Sequence, residues 1–268
     1  MRIGPGRGTR MTRAPAALRG LTPLAAAVGV ALLLATAAAA QESAPADVLN
    51  EYRLTLFPSY RISDGWSGFG YLGLVSKPDA DYDAYYLGTG GYHMPSKGIQ
   101  LWAGLISVYT DKAVDSDLLE LRPFVGVKFL GSSEKKKWRY YNWSRYELRL
   151  TETRETGDWQ TVHRLRNQTR IEIPLASPER AWTPKSWYLL GDVEPIYRSD
   201  TGQIDPVRLR VGLGYVAMQR LLVEFQYYHQ YTRPDGGGLE YTDNIIRLNF
   251  KLLTKHGLMS RFGDDVDD

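Results

Sequence analysis

The stretch that decides the fold class runs from Trp138 to Leu175, WRYYNWSRYELRLTETRETGDWQTVHRLRNQTRIEIPL. In its first half, every second side chain is apolar (Tyr146, Leu148, Leu150), and the positions between are polar or charged (Arg145, Glu147, Arg149, Thr151). The second half sets Leu165, Ile171 and Ile173 against Arg164, Arg166, Arg170 and Glu172. Strand side chains alternate between two faces, so this pattern, with the polar turn Glu155–Asp158 in its middle, predicts an antiparallel hairpin.

The two faces of this hairpin need different surroundings. One face carries several Arg and Glu side chains, which an apolar core excludes, and the other is almost wholly apolar. A membrane-spanning β-barrel with a polar interior accommodates both faces. The stretch therefore predicts an all-β protein, a transmembrane antiparallel up-and-down β-barrel with a charged lumen.

The same alternation recurs along the chain from Tyr52 to Leu252. Leu119 to Phe129 and Val207 to Tyr215 are the clearest further examples, whereas the faces of the two Gly- and Tyr-rich strands within residues 66–93 are ambiguous. The pattern contains eleven strands, but bacterial single-chain barrels have an even number, so we expect ten or twelve. A soluble β-sandwich also alternates and remains the main alternative for any single strand. Aromatic residues at strand ends on the apolar parity favour the barrel (Trp138, Trp159, Trp187, Tyr109 and Tyr231).

The first forty residues have the composition of an export signal. Five arginines precede an apolar run from Leu21 to Ala37, no acid occurs before Glu42, and Ala38 to Ala40 supply small residues for cleavage. We predict a signal peptide over 1–40, with an uncleaved membrane anchor as the alternative, and localisation to the outer membrane. A lead-in over 41–49, a barrel over 50–254 and an acidic tail over 255–268 complete the predicted organisation.

Composition excludes several classes of function. Five of the 33 Lys and Arg residues lie in the leader, so the rest of the chain has 28 bases against 30 acids, and the basic pI is no argument for nucleic-acid binding. The chain has no cysteine, which excludes disulfides, thiol chemistry and cysteine-based zinc sites. No apolar run after Ala40 approaches the length of a spanning helix.

Six segments together resemble a known family. They are LELRPFVGVKF (119–129), RYELRL (145–150), HRLRNQTRIEIPL (163–175), VEPIY (193–197), VRLRVGLGY (207–215) and LLVEFQYYHQYT (221–232). This succession resembles the family named domain of unknown function 2490 and covers most of the chain after the leader. The resemblance implies an outer-membrane barrel of a Gram-negative envelope, and it implies no particular activity or catalytic residue.

Sixteen charged residues occupy the alternate strand positions whose side chains we expect to line the lumen. They are Glu120, Arg122, Lys128, Arg145, Glu147, Arg149, Arg164, Arg166, Arg170, Glu172, Asp192, Glu194, Arg208, Arg210, Glu224 and Arg247. Neighbouring strands carry opposite charges, so cross-strand pairs can fill a narrow lumen and make it a structural polar core. Alternatively the excess of arginine makes the lumen a constriction that prefers anions. The role most consistent with the sequence is a structural or narrow, weakly anion-selective barrel.

Two other classes of function stay open. His163 and His229 fall on the outward parity, where a lipid-acting enzyme could use them, and the loop Ser177 to Lys185 could dock an envelope partner. We identify no catalytic residue, cofactor or metal site. The expected partners are outer-membrane lipid, the barrel-assembly machinery during biogenesis and a small anionic solute, with no nucleic acid.

Overall fold

The computed structural model describes residues 48–113, 116–133, 137–233 and 237–254, and these residues form eleven strands with one turn of 3-10 helix at Pro78–Ala80. The strands are β1 (Leu49–Ser63), β2 (Trp66–Lys77), β3 (Tyr82–Ser96), β4 (Ile99–Lys112), β5 (Leu118–Ser132), β6 (Arg139–Thr153), β7 (Trp159–Pro174), β8 (Trp187–Arg198), β9 (Gln203–Met218), β10 (Leu221–Thr232) and β11 (Glu240–Thr254). In the part of the chain that the structure describes, no helix is long and apolar enough to span a membrane. The predicted signal peptide (1–40) and acidic tail (255–268) lie outside the described residues.

The strands form one closed barrel in chain order. Each strand pairs antiparallel with its neighbours in sequence, and β1 closes the sheet by pairing in parallel with β11, from Leu49 opposite Asp243 to Tyr60 opposite Thr254. The predicted all-β up-and-down barrel is confirmed, and the single closed sheet excludes a two-sheet sandwich. The expected strand number of ten or twelve is wrong. The count is eleven, because a parallel closing pair allows an odd number of strands.

The hairpin of residues 138–175 forms as predicted. β6 and β7 are its two strands, and the connection contains the predicted turn Glu155–Asp158. Their register sets Arg145 opposite Arg166, Glu147 opposite Arg164 and Arg139 opposite Glu172. Charged side chains of the two strands therefore share one face and lie close enough to interact.

Two short turns mark one end of the barrel, which we call the near rim. Gly65 and Gly98 lie in two-residue connections after β1 and β3 and have φ angles of 73° and 86°. Tight hairpin turns need positive φ at such positions, which glycine adopts without steric cost. The connection from β7 to β8 also lies at the near rim, whereas β1 begins at the opposite, far rim.

The two faces of the sheet differ in the way that the alternation predicts. In β7, Leu165 and Ile173 are exposed, while Gln168, Arg170 and Glu172 are buried. The ambiguous early strands turn large side chains to the buried face, among them Phe69 and Val75 of β2 and Tyr92 of β3. The buried face is consequently aromatic on one wall and ionic on another.

Candidate functional site

None of the sixteen charged side chains that the sequence singles out is exposed. Nine are buried and seven are half-buried, although each has the length and charge typical of surface residues. Glu224 is the most enclosed, with an exposed fraction of 0 %. Burial of so many charges requires that they compensate one another, because an isolated buried charge is very costly.

Nine charged residues make a continuous series of ion pairs, which we call the charge lattice. In order of contact, it consists of Arg145, Glu147, Arg166, Glu194, Arg210, Asp192, Arg170, Glu224 and Lys251. Bases and acids alternate along this series, which spans the six strands from β6 to β11. Each acid therefore neutralises bases on both sides, an arrangement that lets many charges share a confined space.

The first half of the lattice is made by close contacts. Arg166 joins two carboxylates, with its Nη1 atom 3.1 Å from Glu147 Oε1 and its Nη2 atom 2.7 Å from Glu194 Oε1. Arg145 Nη2 lies 2.6 Å from Glu147, and Arg210 Nη2 lies 2.8 Å from Glu194. The planar guanidinium, with five donors in a fixed fork, suits this bridging role better than lysine.

The second half converges on Glu224 of β10. This carboxylate contacts Lys251, accepts a hydrogen bond from Tyr188 Oη at 2.8 Å, and lies 3.3 Å from Arg170 Nη2. Asn249 and Gln226 donate further hydrogen bonds to it, at 3.1 Å and 2.5 Å. Glu224 is thus the most highly coordinated acid of the lattice.

Three predicted residues form a separate ion-pair cluster, and two predicted arginines have no ion-pair partner among the described residues. Glu120 binds both Arg122 and Arg149. Arg164, although half-buried, has no ion-pair partner among the described residues, and its Nε atom is buried without a hydrogen bond. Arg247 donates to two hydroxyl groups, those of Thr55 and Tyr228. Arg164 and Arg247 therefore differ from the lattice cations in having no carboxylate contact among the described residues.

Sequence reasoning missed several charged residues on the same face. Arg53 pairs with Glu51 of its own strand, and Lys77 Nζ of β2 lies 2.5 Å from Asp243 Oδ1 of β11. Lys251 completes the lattice. Arg53 and Lys251 have the same parity as recognised polar positions of β1 and β11, so the alternation itself could have identified them. Lys77 gave no such signal, because the faces of β2 could not be assigned from sequence.

An aromatic cluster covers the opposite wall, on strands β1 to β6. Phe69 stacks on Phe57 at a ring distance of 5.3 Å, and Tyr92 stacks on Trp102 at 4.4 Å. Trp143 continues the row, 5.4 Å from Trp102. Gly104 makes room for this cluster, since a Cβ there would approach the ring of Phe124. On the other wall of the buried face, a Cβ at Gly214 would overlap the ring of Tyr188.

The loop between β7 and β8 packs into the near rim. Its Trp182 is buried, 5 % exposed, and joins a cluster with Tyr188, Leu190 and Val216. The guanidinium of Arg139 lies 3.8 Å from the centre of the Trp182 ring, a cation–π contact. Trp182 has a φ of 64°, an unfavourable conformation for a bulky residue that only firm packing maintains.

The two histidines considered for catalysis lie apart from the lattice. The Nδ1 atom of His163 is 2.6 Å from the hydroxyl of Tyr146, and the backbone N–H of His163 donates to Ser199 Oγ. The ring of His229 packs against Tyr227 and Tyr241. Within the described part of the chain, neither imidazole contacts a serine hydroxyl, the arrangement that a serine hydrolase needs.

These features define the class of protein as a closed up-and-down β-barrel whose buried side chains include an extended series of ion pairs. Residues 46–240 match the model of a family described as protein of unknown function (DUF2490). The chain belongs to this family, as the sequence resemblance indicates. No curated protein matches the chain.

Proposed function

We propose that this protein is a transmembrane β-barrel of a Gram-negative outer membrane, exported by a cleaved leader over residues 1–40, whose ionic lumen forms a narrow path with a weak preference for anions. The observation that carries the proposal is the contrast between the two faces of the sheet, one rich in exposed apolar side chains and the other in buried ion pairs. Lipid outside and a polar interior satisfy both faces.

The exposed apolar side chains surround the barrel. Each of the eleven strands contributes at least one, including Leu87 (63 % exposed), Leu165 (54 %) and Phe225 (53 %). A soluble monomer rarely exposes an apolar patch larger than a few hundred Å². A belt contributed by every strand therefore supports contact with lipid.

The dimensions of the strands support the same placement. The strands contain 12 to 16 residues. A rise of about 3.3 Å per residue and a tilt of about 40° give a height of roughly 30–40 Å. An apolar band of about 25 Å fits within this height, with residues to spare at both rims. Trp159 and Trp187, at the first positions of β7 and β8, are exposed and suit the interfacial girdle.

The preference for anions follows from the balance of charges. The sixteen predicted side chains comprise ten bases and six acids, and the other buried charged residues of the described chain are two bases (Arg139, Lys251) and three acids (Glu51, Asp205, Asp243). A confined path with more fixed positive than negative charge favours anions. The pairing of most bases reduces this excess, so we expect the selectivity to be weak.

Membrane insertion is tested with the processed full-length protein. We expect it to fractionate with outer membranes and to need detergent for extraction. A monomeric protein that stays soluble without detergent would contradict the proposal.

Permeation is tested separately in planar bilayers under a salt gradient. We expect small steps with a permeability ratio that favours chloride, and a shift toward potassium in Arg145→Ala and Arg166→Ala. Arg61→Ala, at the partly exposed near-rim end of β1, is the matched control and should retain the original ratio. An absence of current, or equal ratios in all variants, would contradict the anion path.

A further inference from the structure

A cavity of about 130 Å³ lies on the buried face of the barrel, between the aromatic cluster and the charge lattice. Five aromatic side chains and five bases line it, but a single acid, Glu172. The aromatic residues are Phe57, Tyr92, Trp102, Tyr141 and Trp143, and the bases are Lys128, Arg170, Arg210, Arg247 and Lys251. Ser59, Leu130 and four amide side chains (Gln100, Gln168, Gln226 and Asn249) complete the lining.

The aromatic side offers apolar surface rather than hydrogen bonds. The Nε1 atom of Trp102 donates to Gln100 Oε1 at 3.1 Å, so the polar atom of this indole already has a partner. Tyr92 stacks on the same indole, which fixes its orientation. The Nε1 atom of Trp143, the other indole of this wall, is buried without a hydrogen-bond partner, so the fully satisfied apolar surface for a flat ring is that of Trp102.

The ionic side offers a cation whose own partners are neutral. Arg170, Arg210 and Lys251 are engaged by carboxylates of the charge lattice. Arg247 instead donates to the hydroxyl groups of Thr55 at 3.0 Å and Tyr228 at 3.0 Å. Among the three arginines that line the cavity, Arg247 is the one without a carboxylate contact in the described part of the chain, so it gains most from an added carboxylate.

We propose that this cavity binds a small aromatic carboxylate, with its ring toward Trp102 and its carboxylate toward Arg247. An inorganic anion would leave the aromatic wall unused, and a neutral ring would leave Arg247 without a carboxylate partner. The volume of about 130 Å³ is of the order that holds a single aromatic ring, since a cavity of about 150 Å³ binds benzene. This inference rests on the proposed function, because it names the class of solute that the same lumen would recognise.

The test uses the detergent-solubilised full chain and isothermal titration with three probes, namely benzoate, benzyl alcohol and acetate. We expect benzoate to bind at least about tenfold more tightly than either of the others, because only benzoate satisfies both walls. Equal binding of benzyl alcohol would overturn the role of the bases, and equal binding of acetate would overturn that of the aromatic wall. This comparison needs no variant and stays decisive if a variant fails to fold.

Two matched variants then locate the site. Arg247→Gln should weaken benzoate binding by about tenfold to a hundredfold, the value of a lost charged hydrogen bond. Arg164→Gln removes the same charge from a side chain that does not line the cavity and should change affinity by less than about twofold. Equal losses in both variants would overturn the site. Current in bilayers without benzoate binding would overturn the site alone, whereas benzoate binding without current would support the site and overturn the permeation path.

Discussion

Removal of the charge at Glu224 is the most direct test of the charge lattice. The substitution Glu224→Gln keeps the shape of a fully buried side chain but withdraws the carboxylate from Lys251 and Arg170. Loss of one member of a buried pair typically costs about 3–5 kcal/mol. Because Arg170 keeps Glu172 at 3.6 Å and Asp192 at 3.7 Å, we expect the lower end of this range, about 3 kcal/mol.

The assay is equilibrium unfolding in urea of barrels refolded into lipid vesicles, followed by gel mobility without heating. The double variant Glu224→Gln/Lys251→Met removes both charges of one pair and should recover about 1–3 kcal/mol relative to the single variant. Arg164→Gln, which breaks no ion pair of the described chain, is the control and should change stability by less than about 0.5 kcal/mol. A loss below about 1 kcal/mol in Glu224→Gln, or additive losses in the double variant, would refute a coupled lattice.

Three further predictions concern the outer face, the near-rim loop and the buried glycine. Leu165→Arg, on the exposed face of β7, should cost about 2–4 kcal/mol in the vesicle unfolding assay, and a cost near zero would place that face in water. Trp182→Ala removes the ring that packs on Arg139 at the near rim and should increase the single-channel conductance in bilayers, whereas unchanged steps would show that this loop does not limit flow. Gly214→Val would overlap the ring of Tyr188 and should lower the free energy of unfolding by about 1–3 kcal/mol, which the urea assay measures and a neutral result would contradict.

The fold was predictable wherever charged and apolar residues alternate. The positions of Glu120, Arg122 and Lys128 follow from the parity of β5 alone, because a one-residue shift in register would turn every charge toward the apolar face. The early strands gave no such contrast. Phe69 and Tyr92 are apolar on the buried face, and glycines such as Gly68 and Gly91 share the exposed parity, so period-two patterning could not distinguish the faces.

Long-range partnerships were beyond local sequence patterns. The contact of Arg139 with Trp182 joins a strand to the loop 177–185, for which the sequence predicts no contact within the barrel. The predicted number of strands was wrong for a related reason, since the parallel pairing of β1 with β11 joins segments almost two hundred residues apart. Parity assigns a face to each side chain, but it does not identify which strand closes the sheet.

The odd number of strands has a consequence for the two ends of the barrel. Leu49 begins β1 at the far rim and Thr254 ends β11 at the near rim, because the two strands run in the same direction. In a membrane-inserted barrel, these two strand ends would face different compartments. An epitope fused before Leu49 and one fused after Thr254 would then be accessible to antibody from opposite sides, unlike the same-side ends of an even-stranded barrel.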